Sequence, residues 1–410
     1  MTIAQLLLVL IAIFVAAKVF GQLAERFGQP AVLGELAGGV LIGVSGLHIV
    51  DPHDVTVQLL SELGVILLLF LIGLETDLKK LMSVGGSATS VAVVGVALPL
   101  LGGIGLGMLL GFRFMVAVFL GASLTATSVG ITARVLSDLG HLQDDESQVI
   151  LGAAVVDDII GLVLLTLVAT LAQGGELTFL SVGRIVLVAF GFVLLAIVVG
   201  SQLAPYLIRL IDRINMARGL FFASIVFAFT LAYLADRVGS AIIIGSFAAG
   251  LVLARTHRGD DIRREVHDVA QFFIPIFFVV VGAAVDLRTL NPMNPESRRF
   301  LLIGLALTVV GVIGKVFAGA AVWKKGVKRL VVGVGMIPRG EVGLIFAQIG
   351  LATKLISGGI YSAVALMVML TTFITPPLLR RMLVAGTPDR VHPDFVVDAP
   401  MDGEDSSRDV

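Results

Sequence analysis

Two adjacent aspartates, Asp157 and Asp158, lie in the middle of a long apolar stretch, Leu151-Gly-Ala-Ala-Val-Val-Asp-Asp-Ile-Ile-Gly-Leu-Val-Leu-Leu. A carboxylate at bilayer depth costs about 2.5 to 3.5 kcal/mol on insertion scales, so two in one span indicate a function. Movement of ions or protons is the default interpretation. Because neighbouring side chains on a helix diverge by about 100°, the two carboxylates must face different surroundings.

Lys315 is the one lysine inside a predicted span, in Val312-Ile-Gly-Lys-Val-Phe-Ala-Gly. An ammonium group at this depth needs a counter-charge, and we expect Asp157 to provide it. Asp158 is then expected to line a cavity. The alternative is a lysine at a helix end whose long stem reaches the membrane interface.

Two other spans are interrupted by polar residues at mid-depth: Gly121-Ala-Ser-Leu-Thr-Ala-Thr-Ser-Val-Gly-Ile-Thr and Gly335-Met-Ile-Pro-Arg-Gly-Glu-Val-Gly. Pro338 removes a backbone donor, and the hydroxyls of Thr125 and Thr127 compete for helical hydrogen bonds. Unwound carbonyls and hydroxyls are ligands for a small hard cation such as Na⁺. We therefore expect Asp158, Asp157, Thr127 and Thr125 at an ion and proton site.

Arg339 and Glu341 flank the second interruption and can balance the charges of exposed half-helix ends. A base suits the negative end of one half-helix, and an acid suits the positive end of the next. A local structural ion pair explains the two residues equally well.

The composition indicates an integral membrane protein: 57% of residues are apolar, 14% are charged, and mean hydropathy is +1.02. A net charge of -1 does not indicate the excess of basic residues that nucleic-acid binding needs. The absence of cysteine excludes disulfides and thiolate metal sites. We expect no enzyme and no cofactor beyond transported Na⁺ and H⁺. An intramembrane aspartyl protease needs acids that converge from separate helices, and a passive cation channel would not need a lysine beside the acid.

The apolar runs predict thirteen transmembrane helices, near 3–20, 29–46, 57–76, 87–111, 114–136, 147–172, 182–204, 219–236, 238–255, 269–286, 300–323, 330–352 and 357–379. With the C-terminus in the cytoplasm, inside segments carry twenty basic residues and outside segments seven. We therefore expect a multi-pass protein of the inner (plasma) membrane with its N-terminus outside and its C-terminus cytoplasmic. Residues 386–410 form a short polar tail that follows a transmembrane domain over 1–385.

The chain also repeats itself at an offset of about 210 residues. The segment that begins at Ala24 lies without gaps on the one that begins at Ala235, and Gly73-Leu-Glu-Thr-Asp-Leu matches Gly282-Ala-Ala-Val-Asp-Leu. The matched spans are seven apart and so have opposite orientations, a layout typical of secondary transporters. We predict two inverted six-helix repeats, about 1–172 and 219–379, joined by a linker helix at 182–204. The alternative is a chance alignment of glycine- and alanine-rich helices.

These residues resemble the bacterial sodium/proton antiporters of the cation:proton antiporter superfamily, in the branch that contains NapA and the Kef-type proteins. The likeness covers roughly residues 1–385 and rests on several motifs together. They are Arg26-Phe-Gly-Gln-Pro-Ala-Val-Leu-Gly-Glu, Gly73-Leu-Glu, Thr125-Ala-Thr-Ser, Val156-Asp-Asp, Pro275-Ile-Phe-Phe with Gly282, Lys315 and Pro338-Arg-Gly-Glu.

The resemblance implies an all-α fold with crossed discontinuous helices and a core that moves against a dimerising scaffold. It implies that Asp158 carries Na⁺ and H⁺ alternately, with Asp157 beside it and paired to Lys315. Li⁺ or K⁺ remain alternatives to Na⁺. Kef-type K⁺/H⁺ systems usually carry Gln-Asp where this chain has Asp-Asp, and electroneutral relatives commonly carry Asn-Asp, so the first aspartate favours electrogenic exchange. The expected partners are monovalent cations, protons, the lipid bilayer and a second copy in a homodimer.

Overall fold

The computed structural model describes residues 1–172, 179–214, 219–286 and 295–384, and every longer regular element in them is an α-helix. The first part of the chain forms eight helices: α1 (Ile3–Arg26), α2 (Ala31–Ile42), α3 (Val55–Glu75), α4 (Leu78–Ser83), α5 (Gly85–Leu109), α6 (Phe114–Ser123), α7 (Val129–Asp138) and α8 (Asp145–Ala172). A single long helix follows, α9 (Phe179–Ile214).

The remaining helices are α10 (Gly219–Arg237), α11 (Ile242–Ala254), α12 (Gly259–Ala283), α13 (Pro295–Ala318), α14 (Arg329–Gly335), α15 (Glu341–Ala352) and α16 (Gly358–Val384). The polar tail predicted at 386–410 lies outside the described residues.

Nine helices in the described part of the chain are long and apolar enough to cross a membrane: α1, α3, α5, α8, α9, α10, α12, α13 and α16. Four shorter apolar helices, α2, α6, α11 and α15, accompany them. The chain is therefore an all-helical, multi-pass membrane protein. Each of the thirteen predicted spans coincides with a helix or a broken pair of helices, but the number that crosses the bilayer stays a prediction.

Several helix boundaries differ from the apolar runs. Helix α12 begins at Gly259, ten residues before the predicted span, because its first turns are amphipathic and charged. The short helix α4 was not predicted; its N-cap is Asp77, whose side chain accepts the backbone N–H groups of Lys79 and Lys80. An apolar run in the sequence marks only the part of a helix that lipid or protein surrounds, so charged or short helical segments are missed.

Glycines allow the helices of one group, α2, α3, α11 and α12, to approach each other closely. A Cβ atom on Gly250 of α11 would lie 2.7 Å from the Cα of Gly73 on α3. In the same way, a Cβ on Gly39 of α2 would lie 2.9 Å from the Cα of Gly282 on α12. Small residues at such crossings are the usual means of helix association in lipid.

A second group of helices surrounds the two interrupted spans. Helix α5 packs on α6, α8 and α13, while α13 also packs on α14 and α16. Helix α7 connects the two groups, since it contacts α2 and α3 on one side and α8 and α16 on the other. The groups therefore meet along α7, next to the middle of α8, where the two aspartates lie.

Candidate functional site

The two polar interruptions are breaks in helices, and they contact each other. Residues 124–128 separate α6 from α7, and residues 336–340 separate α14 from α15. The backbone N–H of Ser128 donates to the carbonyl of Pro338 at 2.8 Å, and the Thr127 hydroxyl donates to the carbonyl of Met336 at 3.3 Å. The prediction of a break at each of these places is confirmed.

Thr132 makes a further contact between the broken helices that sequence reasoning missed. Its hydroxyl, fully buried, donates to the carbonyl of Gly335 at 2.7 Å. That carbonyl belongs to the last residue of α14, where backbone acceptors have no partner within the helix. The only signal in the sequence was one more hydroxyl at the end of the polar stretch.

Asp157 is fully buried and ties three elements together. Its Oδ2 accepts the backbone N–H of Thr127 at 2.8 Å, so the carboxylate supports the break between α6 and α7. The Nζ of Lys315, on α13, lies 3.3 Å from the same oxygen and 3.4 Å from Oδ1. Lys315 has 0% exposure, which excludes the alternative of an interfacial lysine. The predicted contact between Asp157 and Lys315 is confirmed, and its role in transport stays a prediction.

Asp158 is half-buried and lines two cavities. The first cavity has polar walls from the break, at Thr127, Ser128 and Gly340, and apolar walls from Val65, Ile243 and Phe277. The second is apolar and includes Leu69, Leu151, Val155 and Phe247. The carboxylate thus lies at the boundary of the two helix groups, between walls contributed by α3, α11 and α12 and the broken helices.

Thr127 and Thr125 have different positions, although the sequence grouped them. Thr127 lines the first cavity beside Asp158. The hydroxyl of Thr125 instead donates to the carbonyl of Ala122 at 2.8 Å, at the end of α6, and its side chain is fully buried. Thr125 is not among the residues that line either cavity. An ion at Asp158 would therefore meet Thr127 first.

Arg339 is fully buried behind the site, and its guanidinium faces carbonyl groups. Its Nη1 donates to the carbonyls of Met336 and Ile337 at 3.2 and 3.1 Å, and its Nη2 donates to the carbonyl of Gly311 at 3.4 Å. The first two carbonyls follow the C-terminus of α14, where positive charge is favourable. Glu341, the proposed acidic counterpart, is the first residue of α15, but its side chain lies outside the described residues.

Four described side chains at the site carry charges that cancel when every one of them is ionised. Asp157 and Asp158 are the acids, and Lys315 and Arg339 are the bases. A proton or a monovalent cation on Asp158 adds one positive charge in either case. Small hard cations prefer oxygen ligands, and the Asp158 carboxylate, a nearby hydroxyl and the carbonyls of the unwound backbone are oxygen ligands of this kind. The arrangement can therefore hold H⁺ or a monovalent cation, and each excludes the other.

Known proteins resemble this chain along most of its length. The family model described as "Sodium/hydrogen exchanger, transmembrane" matches residues 9–385. The chain is 42% identical over 415 residues to the high-affinity Na⁺/H⁺ antiporter NhaS3 of Synechocystis, a match that covers 93% of this chain and 90% of that protein. It is 35% identical over 373 residues to the Na⁺/H⁺-K⁺ antiporter GerN of Bacillus cereus, covering 90% and 94% of the two chains.

The fold matches that of a solved structure, the sodium proton antiporter MjNhaP1 of Methanocaldococcus jannaschii at pH 8. The TM-score is 0.63 at 18% sequence identity, and the match covers 93% of this chain and 98% of that one. This likeness concerns the fold alone. The family match, which extends over more than half of the sequence, and the relatives at 42% and 35% identity indicate a transporter rather than an enzyme. The chain belongs to the sodium/hydrogen exchanger family.

Proposed function

We propose that this protein exchanges Na⁺ for H⁺ across a membrane by alternating access, with Asp158 as the group that binds each in turn. One observation carries the proposal: the Asp158 carboxylate lies in a cavity where two broken helices meet, next to a buried pair of Asp157 and Lys315. Transporters of the inverted-repeat type have their substrate sites at such discontinuous helices.

Coupling follows from competition for a single carboxylate. A bare carboxylate resists transfer through a low-dielectric barrier, whereas binding of either H⁺ or Na⁺ neutralises it. The helices that carry Asp158 can therefore move when its carboxylate has bound H⁺ or Na⁺, and they are held in place when it has bound neither. The cavities of Asp158 are lined by residues of α3, α11 and α12 and of the broken helices. A sliding movement between the helix groups would therefore change the side of the membrane from which the carboxylate is accessible.

Asp157 and Lys315 are proposed to make the exchange electrogenic. Both side chains are fully buried, and each is the direct ion-pair partner of the other. If cation binding weakens the pair, Lys315 releases a proton in addition to the one from Asp158. More protons than cations then cross in each cycle, and the membrane potential drives the exchange.

Purified protein in liposomes tests the function directly. A pH-sensitive dye inside the vesicles should report proton movement on addition of Na⁺, and we expect the same experiment with Li⁺ and K⁺ to rank the cations. Choline serves as the control cation. Cation flux without proton movement would identify a passive channel, and exchange with K⁺ alone would identify a Kef-like system.

We further propose the finer architecture of thirteen spans in two inverted repeats, which the glycine contacts support. A Cβ on Gly34 would lie 2.0 Å from the carbonyl oxygen of Phe20, and one on Gly245 would lie 2.3 Å from that of Leu231. The two glycines, and the two residues they contact, are separated by the same 211 positions. Equivalent helix contacts at a constant offset are expected of a structural repeat.

The proposed setting is the plasma membrane, with the N-terminus outside and the C-terminus in the cytoplasm. The distribution of basic residues supports this orientation. A homodimer is proposed from the family resemblance, and α1 presents a largely exposed apolar face for lipid or a partner, at Leu7, Leu8, Ile11, Val15 and Val19. Native mass spectrometry in detergent would reveal the dimer as twice the mass of the chain.

A further inference from the structure

A second group of charged side chains lies at the other end of α7, away from Asp158. Arg134 and Asp138, in the last turns of α7, are joined by an ion pair of 2.9 Å between Nε and Oδ1. Glu75, the last residue of α3, accepts a hydrogen bond of 3.2 Å from the Ser137 hydroxyl. Along a helix that rises 1.5 Å per residue, Asp138 lies roughly 14 Å beyond Val129 in the cavity wall.

Glu35 of α2 belongs to the same group but is more deeply buried. Its side chain is 6% exposed, and its Oε2 has no hydrogen-bond partner. The charged side chains that act on Glu35 come from α7 and α1, and they are Arg134, Asp138, Lys18 and Glu25. Helices α12 and α16 also pack on α2. They bring His267, whose charge interacts with Arg134, and Arg380, which faces Gly28 just before α2.

The balance of charge in this group favours a neutral Glu35. The guanidinium of Arg134 acts on three carboxylates, those of Glu35, Glu75 and Asp138, and is already paired with Asp138. Of the other cations, Arg263 acts on Glu75, and Lys18 acts on Glu35 more weakly than Arg134 does. An ionised Glu35 would be a buried charge with an oxygen that no donor satisfies, which is strongly unfavourable. A proton removes that charge and turns the carboxylate into a donor as well as an acceptor.

The outer members of the group are partly exposed to water. The side chains of Arg134 and Asp138 are each 24% exposed, whereas Glu35 is nearly enclosed behind them. A metal ion is a poorer occupant, since no group of three His, Cys, Asp or Glu side chains suited to a metal occurs among the described residues. The guanidinium of Arg134 also repels a cation.

We propose that Glu35 is a second proton-binding site of this protein, separate from Asp158 and placed where α7 meets α2. The proton enters from water at the end of α7 and converts the Glu35 carboxylate to the acid. Loss of that proton would create a charge that competes with Asp138 for Arg134 and so would change the attraction between α7 and α2. The site stands independently of which ion Asp158 exchanges.

Infrared spectroscopy of the purified protein tests the site without a transport assay. The C=O stretch of a protonated carboxyl group is recorded across pH in wild type and in Glu35→Gln. We expect the difference spectrum to contain one protonated carboxyl band that is present in wild type, absent from Glu35→Gln and lost from wild type at high pH. The matched control is Glu62→Gln, which changes an exposed carboxylate on α3 and should leave that band unaltered.

A further variant keeps the test decisive if Glu35→Gln folds poorly. Glu35→Asp retains a carboxyl group, so its spectrum should keep a protonated band at a shifted frequency. Identical spectra for wild type and folded Glu35→Gln at every pH would overturn the proposal. If the band is found but Na⁺ drives no proton movement in liposomes, the proposed exchange fails while the Glu35 site remains.

Discussion

Asp158 is the residue on which the proposed exchange depends. Replacement of its carboxylate in Asp158→Asn removes the charge that binds a cation and the group that binds a proton, while the amide keeps the size of the side chain. We expect cation-dependent proton movement in liposomes to fall to the level of empty vesicles.

The matched control is Asp236→Asn, which changes an exposed aspartate in the last turn of α10. This variant should exchange like wild type. Substantial exchange by folded Asp158→Asn would show that another group carries the ions.

Thr127 contributes a hydroxyl to the cavity wall, whereas Thr125 does not. Thr127→Val keeps the shape of the side chain but removes that oxygen, so we expect the apparent Na⁺ affinity to fall several-fold with a smaller change in maximal rate. Initial rates over a range of Na⁺ concentrations measure both quantities. Thr230→Val, at an exposed threonine of α10, is the control; equal affinities in the two variants would mean that the break is purely structural.

At the scale of helices, Lys315 connects α13 to the aspartates of α8. Lys315→Gln removes the ammonium group that lies 3.3 Å from the buried Asp157 carboxylate, which favours a neutral Asp157 even though Arg339 remains nearby. We expect the variant to lose its response to membrane potential, and valinomycin-clamped liposomes provide that measurement for wild type and variant.

The controls for this prediction are clear. Lys324→Gln alters a partly exposed lysine that pairs with Asp145 at 2.8 Å and should keep the wild-type response. A wild-type rate that is insensitive to potential would contradict electrogenic exchange. An equal response in wild type and Lys315→Gln would make the lysine a structural partner only.

Close helix crossings at glycine give a stability prediction. A Cβ in Gly250→Ala would lie 2.3 Å from the Phe70 carbonyl oxygen, which α3 cannot avoid without moving away from α11. We expect a loss of about 1 to 3 kcal/mol of stability, as for other overpacked sites, measured as a lower Tm in detergent. Gly105→Ala, where a Cβ meets open space, should leave the Tm unchanged or raise it.

The sequence predicted the helices and the polar contacts unequally well. The pairing of Asp157 with Lys315 was predictable, because Lys315 is the one lysine inside a predicted span and few carboxylates are available to it there. The breaks were predictable from Pro338 and the threonines. The contacts of Thr132 with Gly335, and the burial of Glu35 beside Arg134, depend on how helices distant in sequence approach, and no local pattern specifies that distance.

At the scale of the whole molecule, the proposed orientation is accessible to labelling because the natural chain contains no cysteine. His53→Cys introduces a thiol at an exposed position before α3, and Ser83→Cys introduces one at the exposed end of α4. With the N-terminus outside, a membrane-impermeant maleimide should label His53→Cys in intact cells and Ser83→Cys only after permeabilisation. The opposite pattern would reverse the topology.

One oxygen atom of Asp157 takes part in two interactions, and this affects how such a protein can evolve. The Oδ2 of Asp157 accepts the Thr127 backbone N–H and also faces Lys315. An asparagine there would keep a carbonyl oxygen for the backbone bond but would lose the charge. Under the proposed electrogenic exchange, Asp157→Asn would therefore alter the charge moved in each turnover while the broken helix keeps its hydrogen bond. A single substitution would then be enough to convert voltage-driven exchange into voltage-independent exchange within the same fold.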